Sequence, residues 1–212
     1  MANWLTQLGD REPRTRQLAR HNLLGLSPGD LPALRQILAA RRLTPAQIDP
    51  LEEIITYVST RQTLLDERGD SAAPFLGVSM AAFPAFRDDT DAGSAEVGVV
   101  VDNRLFGYVA YRYLENGDVI TALGREGDLK PTRTGEELRA VVQSLTPGQT
   151  ITINLLRNGT PMTTRFALDA APQAALDKTV TPSRLEAMID RVRDDAQTVY
   201  DQQFRPLIDP SA

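Results

Sequence analysis

The chain has 212 residues, 42% hydrophobic and 24% charged, with a net charge of −5 and no cysteine. Those values fit a globular protein with a buried core, and the length allows one large domain or two small ones. They exclude disulfides, thiol nucleophiles and cysteine metal sites, and give no ground for nucleic acid or an anionic membrane as the main partner.

The first region, residues 3–68, reads as a helical bundle. Apolar residues recur three and four apart: Leu31, Leu34, Ile37 and Leu38, then Ile48, Leu51, Ile54, Ile55 and Val58. Upstream, Leu18, Leu23 and Leu24 form another apolar stripe. Two helix starts overlay at a 17-residue period: Leu26-Ser27-Pro28-Gly29-Asp30-Leu31 and Leu43-Thr44-Pro45-Ala46-Gln47-Ile48. Each offers a hydroxyl cap, proline at the first helical position and a polar residue at the third. Three or four short antiparallel helices are expected, as a small bundle or as a fragment resembling a HEAT-type helical array. Arg11, Arg14, Arg16 and Arg20 are spaced along one helix and read as a solvated face. The single tryptophan, Trp4, reads as a packing anchor.

After the small-residue linker Gly69-Asp70-Ser71-Ala72-Ala73-Pro74 the periodicity becomes strand-like. Gly98-Val99-Val100-Val101 is a short apolar strand. Ile151, Ile153 and Leu155 alternate with polar residues, as do Met162, Thr164, Phe166 and Leu168. Asn158-Gly159 between the last two runs signals a hairpin turn, since both residues tolerate positive φ. One helix interrupts the strands; it starts near Thr134, carries Leu138, Val141, Val142 and Leu145, and stops at Thr146-Pro147-Gly148. The third region, 181–205, opens with Thr181-Pro182. Leu185, Met188, Ile189, Val192, Ala196, Val199 and Tyr200 then make an amphipathic helix. It either packs on the other regions or pairs with a second chain as a homodimer.

Four motifs in order across residues 74–169 resemble a PDZ domain. Phe75-Leu76-Gly77-Val78 is similar to the Gly-Leu-Gly-Phe-type loop in its bacterial form, and Leu114-Glu115-Asn116-Gly117-Asp118-Val119-Ile120 to the Gly-Asp turn segment. Thr134 to Leu145 resembles the groove helix, and Pro147 through Gly159 the closing hairpin. The style is that of the bacterial PDZ domains attached to HtrA-type proteases, without the protease domain. The resemblance implies an α+β fold: a helical bundle, a partly open β-barrel with a groove helix, and a C-terminal helix.

It also implies a site. A PDZ domain takes an extended peptide as an added strand on a sheet edge beside a helix. Here that edge is Val78 to about Phe83, and the loop 75–78 aims backbone N–H groups at a terminal carboxylate. Gly77 lets the backbone approach closely. The peptide-binding residues implied are Phe75, Leu76, Gly77, Val78, Ser79 and Met80, with the helix wall supplied from Leu138, Val141, Val142 and Leu145. Spacing does not decide which of those four, or Glu137, face groove rather than core; for Leu138 and Val142 the core is favoured. Partners are then protein C-termini or extended peptides.

Three features depart from the PDZ pattern. Phe106 to Tyr113, with three tyrosines in six residues, replaces a small-residue run and reads as cover for the barrel end, or as a second contact surface. Pro84 shortens the edge strand. No arginine or lysine precedes Phe75 to help hold a carboxylate.

Other chemistry finds little support. The single histidine, His21, lies in a helical stretch, so neither a Ser-His-Asp triad nor a zinc site is expected. Asp88 to Gly93 fails the calcium-loop pattern, because Val100 stands twelfth from Asp89. Glu136-Glu137 and Asp194-Asp195 are helix neighbours that point apart, so they form no acid–base pair. No phosphate-binding loop occurs.

The expectation is a noncatalytic adaptor or scaffold needing no cofactor or metal. The alternatives are a structural or dimerising protein whose groove is occluded by its own C-terminal segment, and an accessory factor presenting substrates to a separate protease. No run is apolar enough to span a membrane. The start lacks a signal-peptide pattern, so the chain reads as cytoplasmic, or as exported with its signal trimmed.

Overall fold

The computed structural model describes residues 1–67, 72–81, 98–177 and 180–208. Four helices come first: α1 (Ala2–Gln7), α2 (Pro13–Leu24), α3 (Leu31–Ala39) and α4 (Pro45–Glu67). Strands follow: β1 (Pro74–Phe75), β2 (Val78–Met80) and β3 (Val99–Arg104). Next come α5 (Ala110–Tyr113), β4 (Val119–Arg125), β5 (Asp128–Pro131) and α6 (Gly135–Gln143). The chain then forms β6 (Thr150–Arg157), β7 (Thr160–Ala167), β8 (Asp169–Ala170), α7 (Gln173–Leu176), α8 (Pro182–Gln203) and α9 (Arg205–Ile208). The class is α+β with an open sheet. Two compact units divide the chain: Met1–Asp66 with Glu186–Ala212, and Glu67–Leu185.

In the helical unit the two overlaid helix starts fold alike. Asp30 Oδ2 accepts from the Ser27 amide at 2.8 Å and its hydroxyl at 2.6 Å. Gln47 Oε1 accepts from the Thr44 amide at 2.9 Å and its hydroxyl at 3.0 Å. The period ends there, because α3 stops after nine residues while α4 runs for 23. Leu34, Leu38, Leu51, Ile54, Ile55 and Val58 are buried as the stripes predict. Leu18 is not: it is 59% exposed, and Ala19 shares the buried face of α2 with Leu23 and Leu24. A helix turns about 100° per residue, so Ala19, four before Leu23, lies on the inner face and Leu18 lies beside it. Trp4 is half-buried, while Leu5 and Leu8 are the core residues of the first helical segment. Arg16 donates to the carbonyls of Asp10 and Arg11, and Arg20 pairs with Glu53.

The C-terminal stripe is covered within the chain. Ile189, Val192, Ala196, Tyr200, Phe204 and Ile208 are all buried. The region expected as a separate element, 181–205, therefore belongs from Glu186 onward to the helical unit. Gln197 sits between Thr56 and Glu52 of α4, accepting from the first at 3.1 Å and donating to the second at 2.9 Å. Of the two expected roles for this helix, packing on the rest of the chain is seen here.

The second unit holds a six-stranded sheet in the order β2-β3-β4-β6-β7, with β5 added to β4, and a separate β1–β8 pair. The β6–β7 hairpin turns through Asn158 at φ 51° and Gly159 at φ 76°, the geometry expected of that dipeptide. Met162 is 42% exposed and only Phe166 and the following Leu168 reach the core; the outer half of β7 is therefore solvated on both faces. Strand β5 was absent from the expected elements. It is a four-residue hairpin partner returned by Gly127 at φ 79°.

The Gly-Asp turn anchors this unit. Asp118, 1% exposed, accepts from Arg157 Nε at 2.9 Å and Nη2 at 2.8 Å, and from the Glu115 amide at 2.8 Å. The tyrosine-rich segment packs on the sheet unit. Tyr108 is buried, and Tyr113 stacks on Phe166 with centroids 4.9 Å apart. Arg104 lies over the Tyr111 ring and donates to the carbonyls of Tyr111 and Leu114.

Candidate functional site

β2 is an edge strand; β3 is its one partner among the described residues. Its register with β3 decides which backbone groups are free. Val78 lies opposite Arg104, and the Leu105 amide donates to the Gly77 carbonyl at 2.9 Å. That bond marks Val78–Arg104 as a non-hydrogen-bonded pair, so the N–H and C=O of Val78 both point to the open edge. Just before it, the amides of Leu76 and Gly77 meet no acceptor among the described residues.

The loop carrying these amides is braced from below. Gly77 has φ +77°, and a Cβ there would stand 2.5 Å from Tyr108 Cβ. Phe75 packs edge-on to the Tyr108 ring at 4.9 Å. Asp169 Oδ2 accepts from the Val109 amide at 2.6 Å and so holds the tyrosine segment in place. The reason for glycine at 77 is thus the left-handed backbone and the tyrosine beneath it; close approach of a ligand does not have to be invoked.

Between β2 and α6 opens a cavity of about 250 Å³. Phe75, Leu76, Gly77, Val78, Met80, Leu138 and Val142 line it, seven of the ten residues expected there. Ser79, Val141 and Leu145 do not. Strand alternation turns Ser79 away from the face shared by Val78 and Met80. Val141 packs against the core, and Leu145, beyond the end of α6, is buried in it. Leu138 and Val142 do both jobs: they belong to the core and floor the cavity.

Two helix residues were missed, Arg139 and Gln143, each exposed on the cavity's rim. They follow Leu138 and Val142 by one position, about 100° around the helix, so the groove runs along the seam between an apolar and a polar row. A search confined to apolar spacing sees only one row. The third wall was also unforeseen. Ala171 donates to the Ala73 carbonyl at 2.8 Å, and Ala171, Ala175 and Leu176 close one side. Residues 82–97, which include Phe83, Pro84 and the acidic run Asp88 to Gly93, lie outside the described residues, as do residues 209–212.

Among the described residues no group of three or more His, Asp or Glu side chains converges for a metal ion, and no helix is long and apolar enough to cross a membrane.

Edge strand, braced amide loop, groove helix and closing hairpin together have a PDZ-like arrangement. No protein-family model matches the sequence, and no curated protein does. Solved structures similar to it include two of the HtrA-type protease AlgW with a decapeptide. Both are 23% identical and cover 58% of this chain, with TM-scores of 0.41 and 0.38. The match covers 35% and 34% of those chains, so this chain spans about a third of their length.

Proposed function

We propose that the protein is a noncatalytic adaptor whose PDZ-like unit takes the free C-terminus of a partner as an added strand along β2. The observation that carries this reading is the open edge at Val78, flanked by two amides with no acceptor among the described residues and set over an apolar cavity. A strand laid there gains the ladder bonds of Val78. Its terminal carboxylate meets the amides of Leu76 and Gly77, and its last side chain fills the cavity. Buried peptide amides bind a carboxylate by charge-assisted hydrogen bonds, so no basic residue before Phe75 is required. One histidine and no cysteine in the whole chain support the noncatalytic part.

The test is a titration of the intact protein with C-terminal peptides, each as free acid and as amide. Free acids ending in an apolar residue bind, and amidation weakens them about tenfold or more, the worth of hydrogen bonds to a charged group. Gln143→Trp, an exposed position on the rim, fills the groove and abolishes binding while leaving the fold. Equal binding of acids and amides, or binding unaffected by Gln143→Trp, rejects the reading. Gly77→Val is an unsuitable control, because Tyr108 makes it a folding variant.

A second reading, self-occlusion, is favoured by Ala175 and Leu176 lining the cavity while Leu176 stays 43% exposed. If Leu176 competes with ligand, Leu176→Ala tightens binding. If it is part of the wall, the same change weakens binding.

A further inference from the structure

We propose that Asn158 is a self-modification site: the tip of the β6–β7 hairpin converts to aspartate and isoaspartate through attack by its own backbone, and the change loosens the Arg157 anchor. The sequence contains two Asn-Gly pairs, Asn116-Gly117 and Asn158-Gly159. Glycine favours this chemistry because no Cβ shields its amide nitrogen. Both asparagines and both glycines are exposed, so exposure does not separate the pairs. Hydrogen bonding does.

At the first pair both reacting groups are engaged. The Gly117 amide donates to the Val101 carbonyl at 2.8 Å. Asn116 Oδ1 accepts from Arg104 Nε at 2.9 Å, and Arg104 is itself fixed by the carbonyls of Tyr111 and Leu114. Reaction there must first break those bonds. At the second pair the Gly159 amide and the Asn158 side chain make no hydrogen bond among the described residues.

The step balances with water as the only co-reactant. The Gly159 nitrogen bonds to Asn158 Cγ, the Cγ–Nδ2 bond breaks, and the amide proton leaves with Nδ2 as ammonia. Water then opens the cyclic imide. Opening at Cγ leaves aspartate. Opening at the main-chain carbonyl leaves isoaspartate, whose backbone runs through Cβ and Cγ. Either product makes the net charge of −5 one unit more negative.

Isoaspartate also lengthens the turn, and the register leaves no slack for it. Arg157 pairs with Thr160 across Asn158 and Gly159 alone, and such a turn requires positive φ at both residues. Arg157 is the residue whose guanidinium holds Asp118. An added backbone atom beside it therefore acts on the anchor of the sheet unit.

The experiment holds the full chain in mildly alkaline buffer at physiological temperature, with a parallel sample in denaturant. Peptide-mapping mass spectrometry, with fragmentation that separates isoaspartate from aspartate, follows both pairs. In the folded chain Asn158 converts about tenfold or more faster than Asn116, the worth of a hydrogen bond to a charged group. In denaturant the two rates converge. The aged chain melts below both the fresh chain and Asn158→Asp, which supplies the charge without the added atom. Comparable rates in the folded chain, or a faster Asn116, overturn the proposal. So does an Asn158 that converts only in denaturant, since the turn then protects its own asparagine. An aged chain that melts with Asn158→Asp overturns the effect on Arg157.

Discussion

Removing the Asp118 carboxylate should cost about 3 kcal/mol of the sheet unit's stability. Asp118→Ala deletes two guanidinium bonds, at 2.9 and 2.8 Å, and orphans the Glu115 amide. Arg157, with 21% of its side chain exposed, keeps only Glu115, itself 57% exposed, and the Tyr113 carbonyl at 3.2 Å. Breaking a buried pair on one side costs about 3–5 kcal/mol; the residual exposure of Arg157 and its surviving bonds place this pair at the lower end. A guanidinium keeps its proton far above neutral pH even without a partner, so Arg157 cannot escape by losing its proton. Amide hydrogen exchange of β4 and β6 reads the effect directly. Protection should fall by roughly two orders of magnitude, at 1.36 kcal/mol per factor of ten. Asp118→Leu combined with Arg157→Met should be less harmful than either change alone, since the pair is then replaced by packing. A loss below about 1 kcal/mol, the value of an exposed pair, would refute the claim that this bridge is shielded from water.

Gly77→Ala combines a positive φ with a Cβ 2.5 Å from Tyr108; a loss of about 2 kcal/mol or more is expected, seen as a lowered melting temperature. Thr134→Ala removes the oxygen that accepts from the Glu137 amide at 3.2 Å; about 1 kcal/mol is expected from lost capping of the groove helix, again by thermal unfolding. Asp30 is held below its ordinary carboxylate pKa by its hydrogen bonds to Ser27. A depressed folded pKa stabilises above the unfolded value, near 3.8, and the benefit fades as pH falls through the lower folded value. Asp30→Asn should therefore flatten the acid limb of a melting-temperature profile between about pH 5 and pH 2 and leave the neutral-pH ranking of other variants unchanged.

The parts of the fold legible in the sequence are those fixed by local rules. Ser27, Thr44 and Thr134 announce helix starts because polar side chains satisfy amides at fixed offsets: Thr134 accepts from the Glu137 amide, while Asp30 and Gln47 reach back to the amides of Ser27 and Thr44. Asn158-Gly159 announces its turn because few other residues accept two positive φ values in succession. What local rules do not carry is which row of a helix meets which neighbour. Leu18 looked like part of a stripe and is exposed; Arg139 and Gln143, which belong to no apolar stripe, line the cavity. The expected site fared likewise. Phe75 to Val78 and Met80 line the cavity, a placement that strand alternation, a strict period of two, makes legible. Val141 and Leu145 do not line it, since helix placement against a sheet shifts by one residue without altering the apolar pattern. The wall at Ala171, Ala175 and Leu176 had no signal at all, because it depends on a long-range β1–β8 pair only two residues long.

That short pair has an effect beyond the groove. The helical unit is made of two stretches separated by Glu67–Leu185, an intervening loop of 119 residues. Pairing of Pro74 with Ala170 brings the ends of the folded sheet unit together and leaves about 24 residues to close the gap, counting from Asp66 to Pro74 and from Ala170 to Glu186. Loop-closure entropy grows as about (3/2)RT ln n, so the shorter path is worth about 1.4 kcal/mol to the helical unit. Two strands of two residues thus act as a tether: folding of one unit raises the local concentration of the other's missing helix, independently of any contact between them. Trp4 belongs to the helical unit and the sheet unit has no tryptophan, so its fluorescence would register that entropic link when Asp118→Ala weakens the sheet.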